Sequence, residues 1–230
     1  MNMVQDSSPV AHADTRIFYA VHKTFRLGTN RFVDASAKLP PSVLRPVIGS
    51  NWSFYRAVLD HHHHTEDEEI YPALMAVRPD LDVLLKTLGE EHLELADAVD
   101  TATAAVTAFE QEPDAAHQKA MHEAIVAVRD TFFPHLDVED AQVVPAIAES
   151  MPPREWDRLD KQALKTIPRK HLATAVGALD EVIRSLPDQE RPPPPPPPIR
   201  LMLALSWRRK WEARMKPLLV ETPGADSAGS

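Results

Sequence analysis

The chain has no cysteine among its 230 residues, which excludes disulfides, zinc ribbons, iron–sulfur clusters and thiol nucleophiles. Glycine is scarce, with six residues, too few for the many tight turns of an all-β sandwich or barrel. No apolar run reaches the roughly 18 residues of a membrane span. The start, MNMVQDSSPVAHAD, lacks the basic-then-apolar order of a secretory signal, so a cytoplasmic location is expected. Basic charge is scarce in the first two thirds: residues 1–150 carry 11 basic and 24 acidic side chains, net −13. Residues 151–230 carry 14 and 10, net +4. A body this acidic is a poor partner for phosphate backbones, so no nucleic-acid partner is expected.

What the sequence does have is helical period. Four long segments carry apolar stripes stepping by three and four residues. They run from about Asp14 to Lys38, Val47 to Val77, Asp80 (an expected N-cap) to Glu112, and Asp114 to Ser150, separated by proline-bearing breaks. Short connections between long helices predict an all-α, up-down-up-down four-helix bundle over 14–150 with a C-terminal helical extension. The expected flanks are a disordered start at 1–13, a helical extension over 151–187 interrupted near Pro168, and a proline-rich spacer over 188–198. The seven prolines Pro192 to Pro198 would span roughly 22 Å as polyproline, at about 3.1 Å per residue. A basic amphipathic helix over 199–219 follows, with Leu201, Trp207, Trp211 and Met215 toward one side, then a disordered tail over 220–230. That helix is expected to dock on the acidic bundle or a partner subunit rather than on a membrane surface, and oligomeric state stays open.

Each bundle stripe contains a histidine, and two contain a glutamate. The first gives Phe18, His22, Phe25, Thr29 and Phe32; the second Tyr55, Leu59, His62, Glu66 and Ile70. The third gives Leu85, Leu88, His92, Leu95 and Val99; the fourth Ile125, Val128, Phe132, His135, Glu139 and Val143. Glu66 lies one helical turn after His62, and Glu139 one turn after His135, so each pair shares a face. Both motifs continue alike, EDEEIYP and EDAQVVP, with Pro72 and Pro145 six residues after the glutamate. The pattern H…HxxxE…H…HxxxE is therefore an internal repeat of helical hairpins. A glutamate at a core position is costly unless its charge is compensated. Four imidazoles and two carboxylates converging in a bundle suit a pair of divalent first-row metals: iron or manganese by donor type, zinc also, copper(I) less well without sulfur. The metal-site residues are thus His22, His62, Glu66, His92, His135 and Glu139.

Competing registers exist within the His61–His64 run and at Asp140. His64 and Glu68 are also four apart, but only His62 with Glu66 reproduces the spacing to proline of the second copy. His61, His63 and His64 are expected to face solvent or to stand behind the ligands, and His12, His117, His122 and His171 to be ordinary histidines. Tyr55 is either a core aromatic or a phenol directed at the site. No glutamate stands three residues before a histidine, so the E-x-x-H signature of ferritin-like bundles is absent.

On VHKTFR around His22, HHHHTEDEEIYPAL around His62 and Glu66, EEHLEL around His92 and FFPHLDVEDAQVVP around His135 and Glu139, the chain resembles the hemerythrin-like, or HHE cation-binding, family. The resemblance covers residues 14–150. It implies a bundle with two iron ions, often oxo- and carboxylate-bridged, handling dioxygen, nitric oxide, peroxide or iron status. Oxygen-carrying members supply two histidines four apart from the third helix, whereas His92 has Leu88 and Ala96 at that spacing. Six ligands in place of seven would leave the site more open, as in bacterial members linked to nitric oxide, peroxide or iron-repair chemistry. The expected function is binding or reducing a small oxidant. Its rivals are a non-enzymatic iron or oxygen sensor, a di-iron oxygenase acting on an organic substrate, and a bundle without metal.

Overall fold

The computed structural model describes residues 12–220. Among these, every regular element is helical and no strand occurs. In chain order they are α1 (Arg16–Lys38), α2 (Pro41–Thr65), α3 (Tyr71–Val77), α4 (Asp82–Gln111), α5 (Ala115–Val138), α6 (Val144–Ser150), α7 (Pro153–Thr166), α8 (Arg169–Ser185), α9 (Pro197–Met202) and α10 (Arg208–Met215). Single π-helical turns at Glu66–Ile70, Glu139–Val143 and Leu203–Trp207 carry α2 into α3, α5 into α6 and α9 into α10 without a break.

Proline sets most of the ends. Leu39 turns extended (φ −84°, ψ 141°) because Pro40 excludes the helical region from the residue before it. Pro41 then opens α2, six residues earlier than the expected Val47, since a first-turn position needs no N–H and suits its fixed φ. Asp80 is not the N-cap of the third long helix: its carboxylate takes the Arg78 guanidinium at 2.7 and 2.9 Å, and a 3-10 turn, Pro79–Leu81, leads into α4. Asp114 does cap, accepting from the His117 N–H at 2.8 Å.

The four long rods bury their stripes against one another, α4 along α2 and α5, and α1 along α5 and α2. Two apolar cores result. One holds Phe25, Phe32, Trp52, Tyr55, Leu59, Leu95, Phe109, Ile125 and Phe132. The other holds Phe18, Ile70, Tyr71, Leu74, Leu85, Leu88, Val143, Ile147 and Trp156. Each rod passes from one core to the other through its histidine, so a polar layer is clamped between two dry regions.

The extension wraps this bundle. In α7, Trp156 joins the second core and donates from Nε1 to the Asp14 carbonyl at 2.9 Å. On α8, Glu181 takes the Arg31 guanidinium of α1 at 2.6 and 2.8 Å and the Trp211 indole N–H at 2.7 Å. Gly177 permits that approach, because a Cβ there would lie 2.8 Å from Trp211 Cβ. Residues 192–196 form no regular element, while Pro197 and Pro198 enter the first turn of α9. The inward stripe of this tail is Leu203, Trp211, Met215 and Leu218, with Trp207 half-buried. Leu201 departs from the expected face and is 58% exposed, because the π turn at Leu203–Trp207 shifts the register of the residues before it. The disordered stretches expected at 1–13 and 220–230 lie outside the described residues except for His12, Ala13 and Val220; the Ala13 N–H donates to the Ala148 carbonyl at 3.2 Å.

Candidate metal centre

The two His-x-x-x-Glu copies sit at the same place in the same backbone motif. The Tyr71 N–H reaches back five residues to the Glu66 carbonyl, and the Val144 N–H five residues to that of Glu139. The residue after each is proline, Pro72 or Pro145. In an α-helix its ring would strike the carbonyl four residues earlier and leave that carbonyl unpaired. Widening the turn by one residue relieves the clash, and it sets the glutamate at the head of the turn facing the core. Such π turns concentrate at functional sites.

Glu66 and Glu139 are fully buried and lie at the centre of the polar layer. Ligating atoms of His22, His62, Glu66 and Glu139 all fall within 4.8 Å of one another, as do those of His63, His92 and His135. Glu66 faces both groups: Oε1 lies 3.2 Å from His62 Nε2 and 3.9 Å from His22 Nε2, and Oε2 lies 3.6 Å from His92 Nε2. Glu139 Oε2 lies 3.6 Å from His22 Nε2 and 3.4 Å from His135 Nε2. Among the described residues, Glu66 Oε1 and Oε2, Glu139 Oε2, and Nε2 of His22, His62 and His63 are buried without hydrogen-bond partners. Buried polar atoms are nearly always satisfied, and orphaned carboxylate oxygens cost most. Six such atoms converging on one place are what a cation requires, so the donor set fits a metal.

The outer ring nitrogens fix which nitrogen faces inward. His22 Nδ1 donates to Asp140 Oδ1 at 2.7 Å, His92 Nδ1 to Asp67 Oδ1 at 2.9 Å, and His135 Nδ1 to Glu91 Oε2 at 2.9 Å. A carboxylate on Nδ1 leaves the Nε2 lone pair inward and strengthens it as a ligand. The acids cross between copies: Asp67, beside Glu66, orients His92, and Asp140, beside Glu139, orients His22.

The titration behaviour reflects this crowding. Burial and the Glu139 charge push the Glu66 carboxyl up. Burial works the same way on Glu139, but the close His135 imidazole and the charge on His22 outweigh it and hold that carboxyl low. Burial disfavours a charged His22, yet the Asp140 and Glu66 carboxylates raise its pKa to about 10. His135 is likewise raised against burial, by Glu139 and Glu91, to about 9. Burial and neighbouring imidazoles push His62 and His63 well down. Protons are therefore held where a cation would replace them.

All six residues expected from the sequence, His22, His62, Glu66, His92, His135 and Glu139, come together in this layer. The structure adds His63, 9% exposed and stacked on His92 with centroids 4.1 Å apart. Of the two places expected for His63, facing solvent does not hold, and its buried Nε2 could offer a seventh donor. His63 lies four residues after Leu59 and His62 three, and the inward stripe of a helix takes both i+3 and i+4, so the spacing alone does not separate the two. His64 is exposed, and His61 bonds through Nε2 to the Ala163 carbonyl of α7 at 2.9 Å. Tyr55 is a core aromatic, stacked on Trp52 and bonded to Thr29 Oγ1 at 2.6 Å. The tyrosine at the centre is Tyr71, whose hydroxyl donates to Glu139 Oε1 at 2.5 Å.

Two surface cavities lie away from this layer, one between the start of α2 and the end of α4, the other between α8 and the proline segment. Among the described residues no helix is long and apolar enough to cross a membrane. No curated protein and no solved structure gives a significant match. The hemerythrin HHE cation binding domain matches residues 13–147, the span that contains all seven candidate donors. A buried histidine–carboxylate layer and a match over more than half of the chain lead to one conclusion: the chain belongs to the hemerythrin HHE cation-binding family.

Proposed function

We propose that the chain is an up-down-up-down di-iron bundle that binds or reduces a small oxidant: dioxygen, peroxide or nitric oxide. The observation that carries this is the set of buried, unpartnered carboxylate oxygens ringed by five imidazoles. His22 and His62 would hold one ion and His63, His92 and His135 the other, with Glu66 and Glu139 shared between them. Bound there, two adjacent irons supply one-electron redox chemistry, and manganese or zinc would compete for the same donors. The chain's own residues do the rest. Asp140, Asp67 and Glu91 hold three imidazoles in one tautomer. Phe18, Phe25 and Phe132 pack against the histidine rings and exclude water.

A second reading, a sensor, is favoured by one contact chain. His22 packs on Phe18 at 4.6 Å between centroids, and Phe18 meets Trp156 of α7 edge-on at 5.6 Å. Metal occupancy would thereby bear on the extension. The test is iron loading, metal counted per chain, and ultraviolet–visible spectra before and after dithionite, followed by peroxide and nitric oxide consumption. Reducible absorption with catalytic consumption supports an enzyme. A spectral response without turnover supports the sensor, and a redox-inert or metal-free protein contradicts both.

A further inference from the structure

Five residues after its glutamate, the first copy has Tyr71 where the second has Val144. Tyr71 is 3% exposed, and its ring lies nearly parallel to that of His92, with centroids 5.8 Å apart and planes at 17°. Its hydroxyl donates to Glu139 Oε1 at 2.5 Å. The other three oxygens of the two central glutamates have no hydrogen-bond partner among the described residues. Val144 has no hydroxyl to offer, so this hydrogen bond to Glu139 has no counterpart from the second copy to Glu66.

We infer that Tyr71 is a positioning residue: it reserves Glu139 Oε1, so that Glu139 offers the centre one oxygen where Glu66 offers two, and a position is kept for a small exogenous ligand. This rests on the proposed metal centre and specifies how that centre stays open although it has a seventh donor. A carboxylate using both oxygens on a metal takes two positions, and one using a single oxygen takes one. With Oε1 engaged by a phenol, Glu139 is confined to Oε2, which faces His22 and His135. The ring has a separate duty, packing on His92 and in the core with Ile70, Leu74 and Leu88, which phenylalanine would preserve.

The test uses cobalt(II), whose visible absorption weakens as its coordination shell fills, with azide as the small ligand. Wild-type chain and Tyr71→Phe are loaded with cobalt(II), the metal is counted, and each is titrated with azide. The expected result is equal metal content, weaker visible absorption in Tyr71→Phe, and azide affinity lower by about tenfold or more, the scale on which outer partners tune a metal site. Equal metal with azide affinity unchanged would overturn the inference alone, as would loss of metal from Tyr71→Phe or a wild-type centre that takes cobalt(II) but no azide. A wild-type chain that takes up no cobalt(II) would overturn the metal centre itself, and this inference with it.

Discussion

In the first copy of the repeat, Glu66 turns two unpartnered oxygens inward, one toward His22 and His62 and the other toward His92. In the second, Glu139 turns one inward and gives the other to Tyr71. The histidines differ as well. His135 is backed by Glu91, which immediately precedes His92, whereas the residue preceding His22 is Val21, which offers His62 no such partner. The backbones are alike, with the same π turn and the same proline. Duplication therefore sets where the donors stand, and a few side chains that differ between the copies set how strongly each is held.

The largest expected effect comes from breaking the side that spans both groups. Glu66→Gln should lower metal affinity by more than about 100-fold, beyond the range usual for outer partners. The metal-free chain should unfold at the same temperature or slightly higher, because a neutral amide replaces an acid that burial already disfavours. Glu139→Gln should cost less, since it removes one metal-facing oxygen and not two. Calorimetric melting with and without metal, alongside metal counting, separates the two effects. If Glu139→Gln proved the worse of the pair, the comparison would be reversed.

His63→Ala should come next, emptying the three-imidazole group while leaving His22, His62 and the glutamates a binding site. Metal per chain should fall by about half, with the remaining metal held by two imidazoles and carboxylates. Unchanged metal content would return His63 to an outer role.

A third effect is pH dependence, with opposite signs for the metal-free and metal-bound chain. Glu66, His22 and His135 all have raised pKa values in the folded chain, the last two at about 10 and about 9. Each contributes stability that is fully present below its unfolded value and lost as pH rises through its folded value. His62 and His63, shifted down, add stability only above the ordinary histidine range. The metal-free chain should therefore melt highest near neutrality and lose stability toward about pH 9–10, while metal affinity rises over the same interval as the ligands lose protons. Melting temperatures taken across that range with a chelator, and metal titrations without it, check both slopes.

The smallest effect sharpens the crossed pairing of the acids. Asp140→Asn and Asp67→Asn should each weaken metal binding by about 10–100-fold, by releasing the tautomer of His22 and of His92 respectively. Spectra should place the change on the histidine of the opposite copy. A perturbation confined to the mutated copy would contradict the crossing.

Much of this was legible in the sequence because helical period survives a histidine: His22, His62, His92 and His135 fall on unbroken three-and-four stripes, and the repeat selected Glu66 over Glu68 and Glu139 over Asp140. Three features were not. In the run of four histidines, residues 100° apart on a helix can both graze the core, so His63 was hidden behind His62. The π turns change the register without disturbing the apolar pattern, and only the matched prolines hint at them. Asp67 is exposed and Glu91 and Asp140 are half-buried, acids indistinguishable by type from solvated charge until the fold shows the imidazole each one faces. The same blindness applied to the tail, where a π turn moved Leu201 off the face that docks.

The most direct test of the account is metal per chain for the iron-loaded protein, counted by elemental analysis beside the same measurement on Glu66→Gln. Seven donors in two groups, spanned by Glu66, predict about two metals per wild-type chain and nearly none in the variant. Fewer than one metal in the wild type, or an equal count in both proteins, would contradict it.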